Sequence, residues 1–228
     1  NCTGDKVLTG NSCGGKYEKC IEPLQYLYSD RTLSAEIIPG KSVIGIAVDP
    51  ENRLAVAIDY IMTTGWGGYG IDIPTLENTP SSGAGIYVRG ERDSYLIRDG
   101  KANTAKILAY GRSNGISYPA AEAAYNYQPG SCSSSSWCGR GNWYLPSNWQ
   151  VFPYFDNRAT IHLMLKAINK MPDDWWYTRN DFYTVTSNEI NAKESGFIYI
   201  NTGGMAHGGK NLTEPDNLQT LVLPYITY

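Results

Sequence analysis

Apolar and β-branched runs separated by short turns dominate the first half of the chain. Residues 42–48 and 54–58 are two such runs, and residues 49–52 between them are rich in turn formers. This spacing predicts a β-hairpin. Residues 63–94 are rich in Gly, Thr, Ser and Pro, and we expect them to be mostly loop.

The centre of the chain changes from a strand-like to a helical pattern. Asn103 or Thr104 is suited to cap the first helix, and Gly111 to end it. Pro119 at a first-turn position opens an alanine-rich segment that favours a second helix. Helical segments are predicted over residues 103–113 and 119–127, from about residue 147, and over residues 159–170.

The last part of the chain returns to a strand-like pattern. Strands are predicted over residues 182–187, 196–201 and 218–225, and residues 202–217 are predicted to be a long polar loop. Early strands, central helices and late strands together predict an α+β fold. We expect the first and last strands to lie together.

Residues 142–149 predict a corner between a strand and a helix. Trp143 and Leu145 alternate with more polar neighbours, as in a short half-buried strand. Pro146 ends the strand because it lacks the amide hydrogen that a sheet needs. Ser147 is suited to cap the helix that follows.

A family resemblance rests on residues 101–108, 118–124, 142–147, 183–189 and 222–225, in that order. The chain resembles a bacterial surface-protein family of largely unknown function with a C-type-lectin-like fold. That family is related to the C-terminal domain of collagen-like adhesins and to the major paralogous domain of gut bacteria.

This resemblance implies a lectin-like domain over residues 36–228, after a Cys-containing lead-in over residues 1–35. The domain is expected to have mixed or antiparallel sheets, two to three helices and long loops. The chain departs from the family at residues 182–189, where relatives carry Tyr-Trp-Ser-Ser-Ser/Thr-Glu.

Composition limits the classes of partner. With 42% hydrophobic and 18% charged residues, the 228-residue chain has the composition of a folded protein. Its net charge of −3 argues against nucleic acid as a partner. We expect no membrane insertion, because no apolar run approaches the roughly 20 residues that span a bilayer.

The cysteines favour export to the cell surface or the medium. Cys132 and Cys138 flank a serine-rich loop, and we predict a disulfide between them. At least one of the three N-terminal cysteines, Cys2, Cys13 and Cys20, cannot pair within this group, and their pairing stays open. A zinc site is less favoured because no Cys-x-x-Cys pair occurs. The chain begins with Asn1 rather than Met, which favours a removed leader or a truncated chain.

The sequence contains no convincing set of catalytic residues, and we predict no enzymatic activity. His162 lies in an apolar helical stretch, and His207 lies in a glycine-rich segment without a nucleophile elbow. An oxidase like the formylglycine-generating enzymes, which share the lectin-like fold, needs reactive thiols, whereas Cys132 and Cys138 resemble a loop staple. No cofactor is predicted, although residues 214–217 resemble a calcium loop of sugar-binding lectins.

Aromatic side chains with a polar end suggest recognition. The chain holds 18 Tyr and 6 Trp but only 4 Phe, and such rings give contact area at low entropic cost. We predict a non-enzymatic binding module for a glycan or protein; the alternative is a structural subunit of a pilus, fibre or other envelope assembly. The predicted ligand contacts are Trp175, Trp176, Tyr177, Arg179, Asn180 and Asp181, with Lys210 and Asn211 as weaker candidates.

Overall fold

Helices and strands segregate along the chain, which confirms the predicted α+β class. The computed structural model describes residues 7–9, 19–21, 23–79, 86–87, 99–170, 183–199, 204–211 and 220–228. These residues contain four helices, one for each predicted helical segment, whereas the family resemblance implied two to three: α1 (Gly100–Asn114), α2 (Pro119–Asn126), α3 (Asn148–Asp156) and α4 (Arg158–Ala167).

The strands of the same residues form three sheets. They are β1 (Val7–Thr9), β2 (Lys19–Ile21), β3 (Gln25–Tyr28), β4 (Leu33–Ser34), β5 (Val43–Asp49), β6 (Leu54–Ala57), β7 (Ile61–Thr63), β8 (Ile86–Tyr87), β9 (Tyr183–Glu189), β10 (Glu194–Tyr199), β11 (Met205–Gly209), β12 (Thr220–Val222) and β13 (Tyr225–Thr227). Strands β1 and β2 pair only with each other among these residues.

A five-stranded antiparallel sheet brings the C-terminal strand back to the early strands. Its order is β13-β6-β5-β3-β4. The hairpin predicted from the sequence is β5 and β6, in which Ile46 lies opposite Val56. Strand β13 pairs with β6 on the other side, so the first and last strands lie together as predicted, but the single strand predicted over residues 218–225 is divided between β12 and β13. Since β3 and β4 belong to this sheet, it includes residues on both sides of the boundary predicted at residue 35.

A six-stranded mixed sheet has the order β7-β12-β9-β10-β11-β8. Its pairs are antiparallel except that β12 and β9 run parallel. Strand β11 lies within residues 202–217, so the prediction of loop was wrong for residues 205–209. Gly208 and Gly209 pair with β10 through their backbone. Because they have no side chains, the sequence does not show the alternation of apolar and polar residues by which a strand is recognised.

The helices pack on the two large sheets. Phe152 of α3 and Ile161 of α4 share a buried cluster with Val56 of the five-stranded sheet and Leu221 of the six-stranded one. Helices α1 and α2 instead form a second cluster with the six-stranded sheet, through residues such as Ile107. A third cluster covers the five-stranded sheet with the disulfide loop.

The first helix begins and ends elsewhere than the sequence suggested. Asp99, rather than Asn103 or Thr104, is its N-cap, and the Asp99 side chain accepts a hydrogen bond from the Ala102 amide at 2.9 Å. Asn103 and Thr104 are buried inside the helix. The helix passes through the predicted stop at Gly111 and ends at Gly115, whose positive φ of 67° is left-handed.

The predicted corner is present in shortened form. Ser147 caps α3, and Gln150 completes a capping box, because its side chain accepts from the Ser147 amide at 3.0 Å. The strand expected before Pro146 is reduced to a single antiparallel bridge between Tyr144 and Tyr225. Both rings are buried, so the segment is enclosed rather than half-buried.

The disulfide between Cys132 and Cys138 is formed, as predicted. Cys2 and Cys13 lie outside the described residues, and so does the calcium-like segment 214–217. None of the described helices has the length and apolar character that a bilayer-spanning segment requires. The C-type-lectin-like form of the fold stays a prediction.

Candidate functional site

Six of the eight predicted ligand contacts lie outside the described residues: Trp175, Trp176, Tyr177, Arg179, Asn180 and Asp181. Asn211 is exposed, as a contact residue needs to be. Lys210 is different, because its side chain is 0% exposed and pairs with Glu189. The interpretation of Lys210 as a surface contact is therefore corrected.

The buried pair of Glu189 and Lys210 is the centre of the best-defined polar site. Glu189 is the last residue of β9, and Lys210 directly follows β11. The backbone amide of Lys210 donates to the carbonyl of Lys193 at 2.8 Å, which fixes the lysine next to the turn that follows β9. The Lys210 Nζ then contacts Oε1 of Glu189 in the interior.

Three groups from the segment over residues 64–79 complete the surroundings of this pair. The Lys210 Nζ donates to the carbonyl of Ile71 at 2.6 Å, and the amide of Ile73 donates to Oε2 of Glu189 at 3.1 Å. The ring of Trp66 lies 4.9 Å from Nζ, at a distance suited to a cation–π contact. Both buried ions are thus compensated, as buried charges must be.

The same segment is fastened to the sheet by its backbone. The amides of Trp66 and Gly67 both donate to the Lys210 carbonyl, at 3.0 and 3.1 Å. The amide of Thr79 donates to the Glu189 carbonyl at 2.7 Å. Glu189 and Lys210 therefore hold this segment with their backbones as well as with their side chains.

Two glycines allow the segment over residues 64–79 to lie close to Ser117 and Tyr118. A Cβ on Gly67 would lie 2.6 Å from the carbonyl oxygen of Ser117, and a Cβ on Gly68 would lie 2.4 Å from the Tyr118 ring. Both glycines have positive φ, at 103° and 62°. A larger residue at either position would clash with Ser117 or Tyr118.

Burial opposes charge on both members of the pair. Desolvation raises the pKa of the Glu189 carboxyl above its ordinary value, while the contacts of Lys210 and of the Ile73 amide act against that rise. Desolvation likewise lowers the pKa of Lys210, and the attraction of Glu189 opposes it. The pocket therefore favours the neutral acid and the neutral amine more than water does.

A second group of buried polar side chains ties α1 and α3 to β9. The amide of Asn148 donates to Oδ1 of Asn188 at 2.8 Å, and Nδ2 of Asn188 donates to Oγ1 of Thr79 at 2.8 Å. Nδ2 of Asn103 donates to Oγ of Ser187 at 3.2 Å. These amides and hydroxyls satisfy one another and position the helices on the sheet.

Histidine and metal chemistry find little support in the described part of the chain. No group of three or more His, Cys, Asp or Glu side chains that could hold a metal ion occurs there. His162 is mostly buried in α4. The Nδ1 atom of His207 lies 3.1 Å from Oε1 of Glu194, its neighbour on β10.

Most described aromatic rings are in the core, which corrects the view that their abundance serves recognition. Trp143, Tyr28, Tyr118, Tyr144 and Tyr225 are among the largest fully buried side chains. Some of their polar groups have hydrogen-bond partners. The Trp143 indole, for example, donates to the Cys138 carbonyl at 2.8 Å. The large exposed rings of the described residues are Tyr60, Tyr69 and Tyr125.

One of these rings borders an open cleft of about 520 Å³ between α1 and α2. Arg112, Tyr125 and Asn126 are exposed at this cleft. Glu122 also lines it, but its carboxylate already accepts from the Tyr118 amide at 2.9 Å and from the Ser117 hydroxyl. The cleft can offer a cation, an amide and an aromatic face to a ligand.

The sequence interpretation missed Glu189 and Trp66 as parts of a site. One signal was present: Glu189 ends a strand whose every residue is buried, and a charged residue in such a strand needs a partner. The second signal was the glycine-rich stretch around Trp66, because glycine lets the backbone approach other groups closely. The identity of the partner, Lys210, depends on the pairing of β10 with β11.

The chain was compared with protein families, curated proteins and solved structures. No family model matches the chain, and no curated protein matches it significantly. The structure is similar to that of a fimbrial protein from Bacteroides ovatus ATCC 8483, with a TM-score of 0.57 and 15% sequence identity. The match covers 90% of this chain but only 48% of the fimbrial protein. At this identity it supports a shared fold, and the resemblance to the lectin-like surface family stays a prediction.

Proposed function

We propose that this chain is a non-enzymatic module of a bacterial surface fibre or pilus. The observation that carries the proposal is the similarity in fold to a fimbrial protein over 90% of the chain. The chain spans about half of that protein, at 48% of its length, so the likeness concerns one part of the fimbrial protein.

The disulfide supports an extracellular or cell-surface location. Such bonds persist in oxidising compartments and on cell surfaces, and they are rare in the cytosol. The bond between Cys132 and Cys138 is enclosed by the third core cluster, where it holds the loop against the five-stranded sheet. It is thus part of the folded core, as expected for a protein that matures outside the cytosol.

Fibre growth needs two different contact faces on each subunit, because head-to-tail contacts form open assemblies. Leu163 on α4 is 66% exposed, and Tyr69 in the segment over residues 64–79 is 50% exposed. Helix α4 packs on the first core cluster, whereas Trp66 and Ile73 of that segment belong to the second. The two exposed apolar side chains therefore belong to different parts of the fold.

Association of the purified chain tests the proposal. Light scattering after size-exclusion chromatography should show a mass that increases with protein concentration, and electron microscopy should show fibres. Leu163→Lys should weaken this association, because it places a charge on an exposed apolar position. Thr160→Lys is the matched control, since it adds the same charge to an exposed position of the same helix. A single monomeric species at every concentration, without fibres, contradicts the assembly role.

A binding module for a glycan or protein is the second candidate. The cleft with Arg112, Tyr125 and Asn126 favours it, because such groups stack on sugar rings and donate directional hydrogen bonds. Glycan-array binding should be lost in Tyr125→Ala and in Trp176→Ala, with unchanged thermal stability. Tyr69→Ala serves as the control for an exposed tyrosine outside the cleft. Equal binding by all variants contradicts this candidate.

A further inference from the structure

The contact between Glu189 and Lys210 differs in kind from the surface ion pairs of this protein. Both of its side chains are 0% exposed, whereas those of Lys170 and Asp59 are 39% and 41% exposed. Water screens and solvates the surface pair but does not reach the buried one. A reaction that water would prevent or reverse is therefore possible at this position.

The surrounding groups hold the amine against the carboxyl group. The Ile71 carbonyl accepts a hydrogen bond from the Lys210 Nζ at 2.6 Å, which limits the rotation of the amine. The Ile73 amide donates to Oε2 of Glu189 at 3.1 Å. If Nζ attacks the Glu189 carbonyl carbon, negative charge develops on a carboxyl oxygen, and this N–H is placed to stabilise it. Fixed contact between reactants also lowers the entropic part of the barrier.

Burial shifts both groups toward the protonation states that react. Burial raises the pKa of Glu189 and lowers the pKa of Lys210, so that both neutral forms become more accessible than in water. A neutral amine has the lone pair that an ammonium lacks, and a neutral carboxylic acid is the better electrophile. The Trp66 ring at 4.9 Å from Nζ is one of the groups that bound the pocket.

We propose that Lys210 and Glu189 join in an intramolecular amide crosslink. The Lys210 Nζ forms a bond to the side-chain carbonyl carbon of Glu189, and the bond from that carbon to its hydroxyl oxygen breaks. The lost hydroxyl and one proton from Nζ leave together as a water molecule. Nothing is oxidised or reduced, and no co-reactant is required. Since Nζ and Oε1 are in contact, the proton passes directly to the leaving oxygen.

Removal of two buried charges drives the condensation. In water, the separate ions are well hydrated, and that hydration opposes amide formation. In this pocket the ions have already lost their hydration, which is unfavourable for each ion. The amide keeps one N–H donor for the Ile71 carbonyl and one carbonyl acceptor for the Ile73 amide, without the charges, and the released water escapes to the solvent.

The crosslink would connect strands that are not neighbours. In the six-stranded sheet, β10 lies between β9 and β11, and Glu189 and Lys210 stand at the ends of the two outer strands of this trio. A covalent bond here would tie the trio together and would also secure the segment over residues 64–79. The crosslink does not rest on the proposed assembly role.

Mass spectrometry of the intact, reduced and denatured chain is the first test. After prolonged incubation of the folded protein, its mass should be lower than that of the linear sequence by one water molecule. Tryptic digestion then locates the loss. Trypsin does not cleave after a lysine whose amine is part of an amide. Since no Lys or Arg occurs in residues 211–228, a crosslinked Lys210 leaves residues 194–228 as one peptide. This peptide is joined through Lys210 to the peptide of residues 180–193.

Lys210→Arg is the matched variant. It keeps the positive charge, but a guanidinium stays protonated and has no nucleophilic lone pair. Its mass should equal the value expected from its linear sequence. The wild-type digest decides the question even if this variant fails to fold. Free peptides of residues 194–210 and 211–228, together with the full linear mass, overturn the crosslink and leave a simple ion pair.

Discussion

Tyr144 and Tyr225 exchange both of their backbone hydrogen bonds. The Tyr144 amide donates to the Tyr225 carbonyl at 2.9 Å, and the Tyr225 amide donates back to the Tyr144 carbonyl at 3.0 Å. This bridge attaches the corner at Pro146 to the C-terminal strand β13. Since β13 also pairs with β6, the two tyrosines join the start of α3 to the five-stranded sheet.

Substitution of each tyrosine by Phe should affect stability differently. The Tyr225 hydroxyl is buried and has no hydrogen-bond partner among the described residues, so Tyr225→Phe should be neutral or slightly stabilising. The Tyr144 hydroxyl lies 3.0 Å from Oγ1 of Thr227, and Tyr144→Phe should lower the unfolding free energy by about 1 kcal/mol. Urea denaturation measures both. A larger loss for Tyr225→Phe would contradict the structure.

The helices were the most predictable part of the fold, because their signals are local. Pro119 and the alanines after it specify α2 almost to the residue, and Ser147 with Gln150 specifies the start of α3. The start of α1 was misplaced because Asn103 and Thr104 are good capping types. In the structure they point inward, where Asn103 bonds to Ser187 of β9. That choice depends on tertiary contacts.

The polar site was less predictable, because its parts are distant in sequence. Trp66, Glu189 and Lys210 meet only after β10 and β11 have paired, and β11 itself was predicted as loop. The chemical type of a lysine does not reveal whether it is buried. The glycines beside Trp66 indicated a close approach, but the partner in that approach, Tyr118, lies about fifty residues further along the chain.

Gly100 should not tolerate a side chain. A Cβ at this first residue of α1 would lie 2.5 Å from the Ser147 amide nitrogen and 2.7 Å from the Leu145 carbonyl oxygen. Because both are backbone atoms, the helix would have to move, and Gly100→Ala should cost about 1–3 kcal/mol of unfolding free energy. Gly130→Ala is the control, since a Cβ there meets no atom within 4 Å. Equal thermal stability of both variants would refute this packing.

Loss of the disulfide should destabilise the protein without unfolding it. The chain-entropy estimate for the short loop between Cys132 and Cys138 is about 2 kcal/mol. The Trp143 indole, which donates to the Cys138 carbonyl at 2.8 Å, should then report a looser environment through its fluorescence. Urea denaturation of the Cys132→Ala/Cys138→Ala double variant and of the wild type, the latter with and without reductant, measures the effect. Wild-type stability in the double variant would show that the loop holds its place without the bond.

Alkaline pH should destabilise the fold through Tyr144. Burial raises the pKa of this phenol from 10.0 to about 12, although its contact with Thr227 opposes the rise. The folded state therefore holds the proton more tightly than the unfolded state. The resulting stabilisation is complete below the unfolded pKa near 10.0 and is lost as the pH rises through about 12.

This loss is measurable as the difference between the wild type and Tyr144→Phe. The unfolding free energy of the wild type should fall more steeply between pH 10 and 12, by about 2–3 kcal/mol in total. Tyrosinate absorbance recorded in parallel should show one phenol fewer in the high-pH phase of the variant. The two proteins would instead lose stability in parallel if the Tyr144 hydroxyl ionised at the pH of a free tyrosine. That result would mean that the Tyr144 hydroxyl is open to water.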